Sequence, residues 1–207
     1  FDSSGVTFDG SGHTIDISGV DDFNGLFQNG TSSDIGQDNI TIKNLGVKST
    51  NGSTLANNAG WIGQQYFGKG ATNNKIENCY SEGAISATYS GGICGSNTGS
   101  SSGNVTIENC YYDGAIDGVH SGGICGLYAG NDGGTVTVTN CYSNGAISGQ
   151  NSGGICGSHA GNDGGTVTIT NCYSLGAISA TSSGGICGTN TGISNGTVTV
   201  TNCYSLG

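Results

Sequence analysis

The chain has 207 residues, of which 42 are Gly and none is Pro or Met, and only 9% are charged. Its formal net charge is −10 and its four basic residues are all Lys before residue 76, which argues against a nucleic-acid-binding surface. No run of about 18 apolar residues occurs, so the sequence predicts no membrane-spanning helix. Because Val, Ile and Thr recur in fixed columns, the high Gly content indicates a β-rich, turn-rich fold and not disorder.

The N-terminal part of the chain reads as irregular copies of the layer that follows it. Val6-Thr7-Phe8 resembles the later Val-Thr-Ile strands, and Trp61-Ile62 resembles the later Ile-Cys pair. That alignment puts Ile62 in a column that later holds Cys. A solenoid needs atypical end layers to close its core. We therefore predict that residues 1–73 form irregular capping coils and that residues 74–207 form regular ones.

From Asn74 onward the sequence repeats at an even spacing without insertions. Each unit offers three short strand candidates separated by Gly, of the types Thr-Val-Thr-Val-Thr, Gly-Ala-Ile-Ser and Gly-Gly-Ile-Cys-Gly. A repeat of this kind is typical of one coil stacked on the next. The sequence therefore predicts an all-β fold, a right-handed parallel β-helix (a solenoid) with about seven coils of ~31 residues each.

The strand from Thr135 to Thr139 alternates Thr and Val, which places Val inside and Thr outside. An Asn follows this strand in every unit and marks a bend. Stacked Asn side chains at a bend can hydrogen-bond from one coil to the next. The predicted stack contains Asn78, Asn109, Asn140, Asn171 and Asn202.

The motifs Asn-Cys-Tyr-Ser-x-Gly-Ala-Ile-Ser and Ser-Gly-Gly-Ile-Cys-Gly resemble the GLUG-motif repeats of large secreted and surface proteins. The resemblance covers Asn74 to Gly207, while the preceding coils resemble pectin-lyase-like β-helices more loosely. This sequence departs from the family pattern in having Ile-Cys for Leu-Val and a very even repeat. The resemblance implies a right-handed β-helix in an adhesin or surface-fibre setting, and it transfers no catalytic residue.

Nine cysteines fall in two columns, and in an extracellular setting they are candidates for disulfides. A bridge straight across the core is excluded by the ~10 Å distance between sheets, whereas one near a corner of a coil remains open. The alternative is two columns of buried, reduced thiols. The favoured pairs within single coils are Cys79–Cys94, Cys110–Cys125, Cys141–Cys156 and Cys172–Cys187.

Catalysis is not expected from this composition. Lyases and hydrolases with a β-helix fold need a basic group with a carboxylate cluster, or paired carboxylates on one face. The acid-rich spot Asp21-Asp22, with His13 in the same region, reads as a capping loop, and His120 and His159 read as separate solvated loop residues. No cofactor is expected, although the stacked Gly-Asn-Asp-Gly turns make Ca²⁺ at Asp132 and Asp163 an alternative to plain turns.

Two further surface features could carry function. The outward Thr side chains form a flat grid that resembles the face of ice-binding β-solenoids, although Thr is also simply a good exposed strand residue. Five Asn-x-Ser/Thr sequons are candidate glycosylation sites. The grid contains Thr137, Thr139, Thr168, Thr170, Thr199 and Thr201; the sequons begin at Asn29, Asn39, Asn51, Asn104 and Asn195.

These observations predict a non-catalytic structural module of an extracellular or virion-surface fibre or adhesin. The final repeat stops before its Ile-Cys segment, and we expect such an edge to stack end to end on another copy in a filament. Glycans or a cell surface are the other expected partners. The alternatives are an ice-binding solenoid that uses its Thr columns and a β-helix that binds or cleaves polysaccharide.

Overall fold

Twelve strands occur along the computed structural model, which describes residues 1–207. All of their pairings are parallel and join them into a single sheet, and none of the chain forms a helix that could cross a membrane. The strands are β1 (Thr7–Asp16), β2 (Thr41–Lys48), β3 (Asn74–Glu77), β4 (Tyr80–Glu82), β5 (Asn104–Glu108), β6 (Tyr111–Asp113), β7 (Thr135–Thr139), β8 (Tyr142–Ser143), β9 (Thr166–Thr170), β10 (Tyr173–Ser174), β11 (Thr197–Thr201) and β12 (Tyr204–Ser205).

The chain winds as a right-handed parallel β-helix of about six turns, which confirms the predicted fold class. Seven strands (β1, β2, β3, β5, β7, β9 and β11) stack on one face, and six turns separate them. Thr7 pairs with Thr41 and Thr41 with Lys75, the same 34-residue offset in both cases. Lys75 pairs with Thr106, and this shorter 31-residue offset is repeated by every later turn. The change in coil length follows β3, close to the boundary predicted at residue 74.

Two faces of each coil meet at a bend that is visible in β2. The first half of β2 pairs with β3, and its second half pairs with β4. In later coils the same bend separates the five-residue Thr-Val strand from a short strand that begins at a Tyr, as in β7 and β8. The short Tyr strand was not among the three strands predicted for each coil.

The predicted Gly-Ala-Ile-Ser and Gly-Gly-Ile-Cys-Gly strands are not continuous strands in the structure. They pair from coil to coil through single bridges, such as Ile116 with Ile147 and Cys125 with Cys156. Gly on either side lets the backbone turn sharply, so each segment offers only one or two residues to the next coil. The stack is still hydrogen-bonded there, since the Ile124 amide donates to the Ile155 carbonyl over 2.9 Å.

The core is built from identical side chains stacked along the axis. Val136 and Val138 of β7 are fully buried while the Thr residues between them are half-buried, as strand alternation requires. Trp61 and Phe67 fill the wider early coils and are also fully buried. One predicted register was wrong: Gly63, and not Ile62, pairs with Cys94. The Phe67 ring packs against Gly63 and occupies the space that a side chain there would need.

Candidate functional site

An Asn ladder runs along the bend between the two faces. Its five predicted members all adopt left-handed backbone conformations, with φ between 52° and 55°. Asn tolerates this conformation because its short polar side chain can hydrogen-bond locally. The Asn140 amide donates to Asn109 over 3.1 Å, Asn171 to Asn140 over 3.2 Å and Asn202 to Asn171 over 3.3 Å. Asn78 donates in turn to Asn44, a member that the repeat did not reveal. The ladder ties coil to coil on the outside of the rod.

A Tyr ladder lies directly beside the Asn ladder. Its rings stack face to face with centroids 4.9–5.2 Å apart and interplanar angles of at most 8°. Because the faces are covered by neighbouring rings, the ladder presents ring edges and hydroxyl groups to solvent. This geometry favours a structural role over a flat binding platform. The members are Tyr80, Tyr111, Tyr142, Tyr173 and Tyr204.

The Thr grid is ordered but short. Thr137 pairs with Thr168 and Thr168 with Thr199, and the column through Thr139, Thr170 and Thr201 lies alongside. The second column is interrupted one coil earlier by Glu108, which pairs directly with Thr139. There, the Lys75 ammonium lies 2.6 Å from the Glu77 carboxylate and 3.3 Å from that of Glu108. The uncharged grid therefore extends over only three coils.

The predicted disulfides are not present in the structure, in which all nine cysteines are free thiols. The thiols of the first column lie against the backbone of their own column: the Cys110 amide donates to the Cys141 sulfur over 3.4 Å, and the Cys141 thiol donates to the Ile107 carbonyl over 3.6 Å. Parallel stacking aligns each Cys with its column neighbours and not with the Cys of its own coil. The eight proposed partners Cys79, Cys94, Cys110, Cys125, Cys141, Cys156, Cys172 and Cys187 therefore act as small core residues.

Buried thiols of this kind are expected to be inert in the folded chain. Cys94 and Cys141 are both fully buried, so a reagent cannot reach their sulfur atoms. Burial raises the pKa of the Cys94 thiol well above its ordinary value, whereas at Cys141 the effect of burial is outweighed by hydrogen bonds with Cys110 and Cys172, which lower the pKa. We predict that a thiol reagent of low molecular mass modifies none of the seven buried cysteines at neutral pH until denaturant is added, whereupon all nine react. Intact-mass measurement after alkylation, without reductant, gives the number of modified cysteines in the folded and in the denatured chain. Fewer than nine modified cysteines in denaturant would show that disulfides form after all.

The Gly-Asn-Asp-Gly turns, the alternative Ca²⁺ site, contain no cluster of metal ligands. Asp132 and Asp163 both have positive φ, and each carboxylate accepts a hydrogen bond from a neighbouring side chain, Ser101 and Asn162 respectively. Nowhere in the chain do three or more His, Cys, Asp or Glu side chains come together in a way that could hold a metal ion. The arrangement is that of hydrogen-bonded turns.

The five sequons differ in accessibility. Asn29 is buried, with 1% of its surface exposed, and its amide donates to the Gln37 carbonyl and to Asn74 over 3.1 and 3.2 Å. A glycan cannot be attached to that side chain in the folded chain. The other four lie on the surface, with Asn39, Asn51 and Asn195 exposed and Asn104 half-buried.

A cleft lined by aromatic rings opens on the side of the rod beside the Gly-Gly-Ile-Cys segments. Its volume is about 370 Å³, and its lining residues are Asn58, Tyr89, Asn97, His120, Leu127, Tyr128 and His159. The His120 ring lies 5.6 Å from the Tyr89 ring and 6.2 Å from the His159 ring, which lies 5.1 Å from Tyr128. The expectation of two separate solvated histidines is therefore wrong, because both are half-buried in this cleft.

The hydrogen bonds of the cleft fit neutral His rings, with Nδ1 of His159 left without a partner. The Asn151 and Asn190 amides lie 3.5 and 3.2 Å from Nε2 of His120 and His159, so these nitrogens act as acceptors. Nδ1 of His120 then donates to the Ser158 hydroxyl over 2.9 Å. Burial lowers the pKa of both rings below the ordinary value; His159 adds to this effect on His120, while Asp163 partly offsets it for His159. The rings therefore carry no charge at neutral pH.

A second cavity, of about 430 Å³, adjoins this cleft on the earlier coils. Asn57 lines the second cavity and its chain neighbour Asn58 lines the cleft, while Tyr66 lines the second cavity. The second cavity is polar, and the side-chain amides of Asn24, Gln28 and Gln65 make no hydrogen bond within the chain. Its remaining lining residues are Thr31, Ser32, Ala59 and Gln64. Neither lining set contains Asp, Glu, Lys or Arg.

Comparison with solved structures identifies a similar fold. The chain resembles a crystal structure from Bacteroides ovatus described as a putative immunoglobulin A1 protease. Sequence identity is 21% and the TM-score is 0.61, over 96% of this chain and 59% of that chain. The likeness shows the fold. Since this chain spans 59% of the other's length, nothing of that protein's activity transfers.

No protein-family model and no curated protein matches the sequence. The likeness to GLUG-motif repeats therefore remains a resemblance, while the β-helix itself is established.

Proposed function

We propose that this chain is a non-catalytic structural module of an extracellular fibre or adhesin, displayed at a cell or virion surface. The observation that carries the proposal is the regular stacking of the coils from β3 onward, inside and outside. Val, Ile and Cys columns fill the interior, and the Asn and Tyr ladders run along the exterior. About seven layers spaced by about 4.8 Å give a stiff rod on the order of 30 Å long. Such a rod suits a spacer or display element.

Association end to end is the second part of the proposal. The observation that favours it is the even register of β5, β7, β9 and β11, which pair residue for residue over their whole length. A coil that matches its own neighbours also matches the equivalent coil of another copy. A second chain would meet β11 through β1, and its first coils would have to adapt, because the turns there span 34 residues and the regular turns span 31.

Two measurements test this proposal. Antibodies raised against the folded chain are expected to label intact source cells or particles without permeabilisation, as an extracellular module requires. Labelling that appears only after permeabilisation would contradict the surface location. For self-association, light scattering across a concentration series, with electron microscopy of the same samples, is expected to show filaments one rod wide. Dispersed monomers at the highest concentration would contradict end-to-end assembly.

A further inference from the structure

Tyr and His residues with positive φ occur around the aromatic cleft and the second cavity and nowhere else in the chain. Twenty-six residues other than Gly have positive φ, and all but five of them are Asn, Asp or Ser. The left-handed region favours Asn, Asp and His and disfavours bulky side chains such as Tyr. The five exceptions are Tyr66, Tyr89, His120, Tyr128 and His159. Four of them line the cleft described above, and the fifth, Tyr66, lines the second cavity.

These five residues belong to two turn columns that flank the Gly-Gly-Ile-Cys segment. Both columns advance by one full coil from each member to the next, and all of their members have positive φ. Asn occupies the same positions in other coils, so the backbone itself accepts Asn there. The first column contains Asn58, Tyr89, His120, Asn151 and Ser182; the second contains Tyr66, Asn97, Tyr128, His159 and Asn190.

Tyr at these positions is therefore not required by the fold. Equivalent positions in other coils hold Asn, which suits this backbone conformation better. A Tyr that occupies it instead indicates a function for the Tyr side chain. Two Tyr side chains in disfavoured conformations in the cleft, and a third in the second cavity, indicate a binding site. Tyr supplies a rigid aromatic face and a hydroxyl group at low cost in conformational entropy.

The chemistry of the lining points to the ligand. Aromatic faces bind apolar C–H surfaces, while the amides of Asn24, Gln28 and Gln65 offer unpaired donors and acceptors for hydroxyl groups. The absence of Asp, Glu, Lys and Arg from both linings argues against a charged ligand, and the chain's net charge of −10 repels acidic ones. From Asn24 to His159 the two cavities extend over five coils, a length of about 19 Å at about 4.8 Å per coil.

We propose that the cleft and the adjoining polar cavity together bind a neutral oligosaccharide chain. The Tyr and His rings of the cleft contact the C–H faces of the sugar rings, and the amides of the polar cavity bind their hydroxyl groups. This inference names the partner of the surface module. The place where the chain meets this partner, a cell or virion surface, rests on the proposed function. The binding itself does not.

Calorimetric titration of the purified chain tests the inference. The probes are maltohexaose, cellohexaose, laminarihexaose and mannohexaose, with hexagalacturonate as the charged comparator. At least one neutral hexasaccharide is expected to bind, and hexagalacturonate is not. The double variant Tyr89→Asn/Tyr128→Asn is expected to lose affinity roughly tenfold for each ring removed, which corresponds to about 1.4 kcal/mol per ring. Its thermal midpoint is expected to stay the same or rise, because Asn suits the left-handed backbone.

Two control variants distinguish the ring from the fold. Tyr89→Phe/Tyr128→Phe keeps both aromatic faces and is expected to retain most of the affinity. Tyr204→Asn makes the same chemical change outside the cleft, at a residue with 51% of its surface exposed, and is expected to leave binding unchanged. The inference is overturned if no neutral probe binds, if hexagalacturonate binds as tightly, or if the Asn double variant keeps its affinity. Surface labelling is a separate result, so each proposal can fail alone.

Discussion

Replacing Gly145 with Ala is expected to prevent the β-helix from forming. A Cβ atom at this position would overlap the carbonyl group of Gly114 in the preceding coil, closer than side chains ever approach backbone. The two coils cannot separate locally, because the Asn144 amide donates to the Tyr112 carbonyl over 3.1 Å and the Ile116 amide to the Ala146 carbonyl over 2.8 Å. Losses above about 4 kcal/mol are exceptional for one substitution, but here a Cβ atom, which no rotamer change can move, meets a backbone carbonyl group.

Domains of ordinary stability have only about 5–15 kcal/mol in total, so the Gly145→Ala chain is expected to be unfolded or insoluble. Circular dichroism and the yield of soluble protein measure this directly. The matched control is Gly164→Ala, where φ is +75° and no atom lies within 4 Å of the added Cβ. That variant should fold and lose only the cost of a left-handed backbone, about 1–2 kcal/mol. Equal urea midpoints for the two variants would refute the close-approach argument.

The fold could be predicted from the repeat, because the period of the sequence equals the number of residues in one coil. Columns of Val, Thr and Asn at 31-residue spacing can stack only if each unit is one turn, and β5 to β11 pair at that spacing. The 34-residue turns at the start were harder to read, since their added residues lie in loops that follow no pattern. Register there depends on packing: Phe67 fills the space above Gly63, a contact that no periodicity reveals.

The aromatic cleft was not predicted from the sequence, for a different reason. His159 lies one full coil and eight further residues beyond His120, so reading down single columns separates the two. The chain reverses direction within those eight residues, around the Gly-Gly-Ile-Cys segment, and brings the two turn columns together. A comparison of His120 with Tyr128, and of Asn151 with His159, at this eight-residue offset would have indicated the pairing.

The cysteines show the limit of composition as a guide. Nine Cys in a chain that resembles secreted proteins suggested disulfides, but the side-chain direction within a stacked coil decides the outcome. In a parallel stack the groups nearest to each Cys include backbone groups of the adjacent coils. The thiols of Cys141 and Cys172 thus hydrogen-bond along the column to backbone groups 31 and 34 residues away. Chain position alone could not distinguish that arrangement from a bridge at a corner.

A large loss of stability is also expected from Tyr112→Ser, although Ser occupies the equivalent position in other coils. Tyr112 is fully buried and stands in the column that elsewhere holds Ser81, Ser143, Ser174 and Ser205. Its ring packs on Gly92, and its hydroxyl lies 2.8 Å from both the Gly83 and the Ala115 carbonyl, which share its one donor proton. Truncating a buried aromatic side chain to Ala typically costs about 3–5 kcal/mol, and Ser would leave a similar cavity. Urea unfolding followed by the fluorescence of Trp61 measures the change.

The variant Tyr112→Phe separates packing from hydrogen bonding at this site. Both carbonyls keep another donor when the hydroxyl is removed, since Gly83 still accepts from Trp61 Nε1 over 3.2 Å and Ala115 from the Ile85 amide over 2.9 Å. Tyr112→Phe is therefore expected to lose only about 0.5–1.5 kcal/mol of the free energy of unfolding. If each coil were stable by its own sequence, Tyr112→Ser would be as mild as Tyr112→Phe. A much larger loss for the Ser variant would mean that this coil depends on the ring, because the ring fills a space that Ser leaves empty.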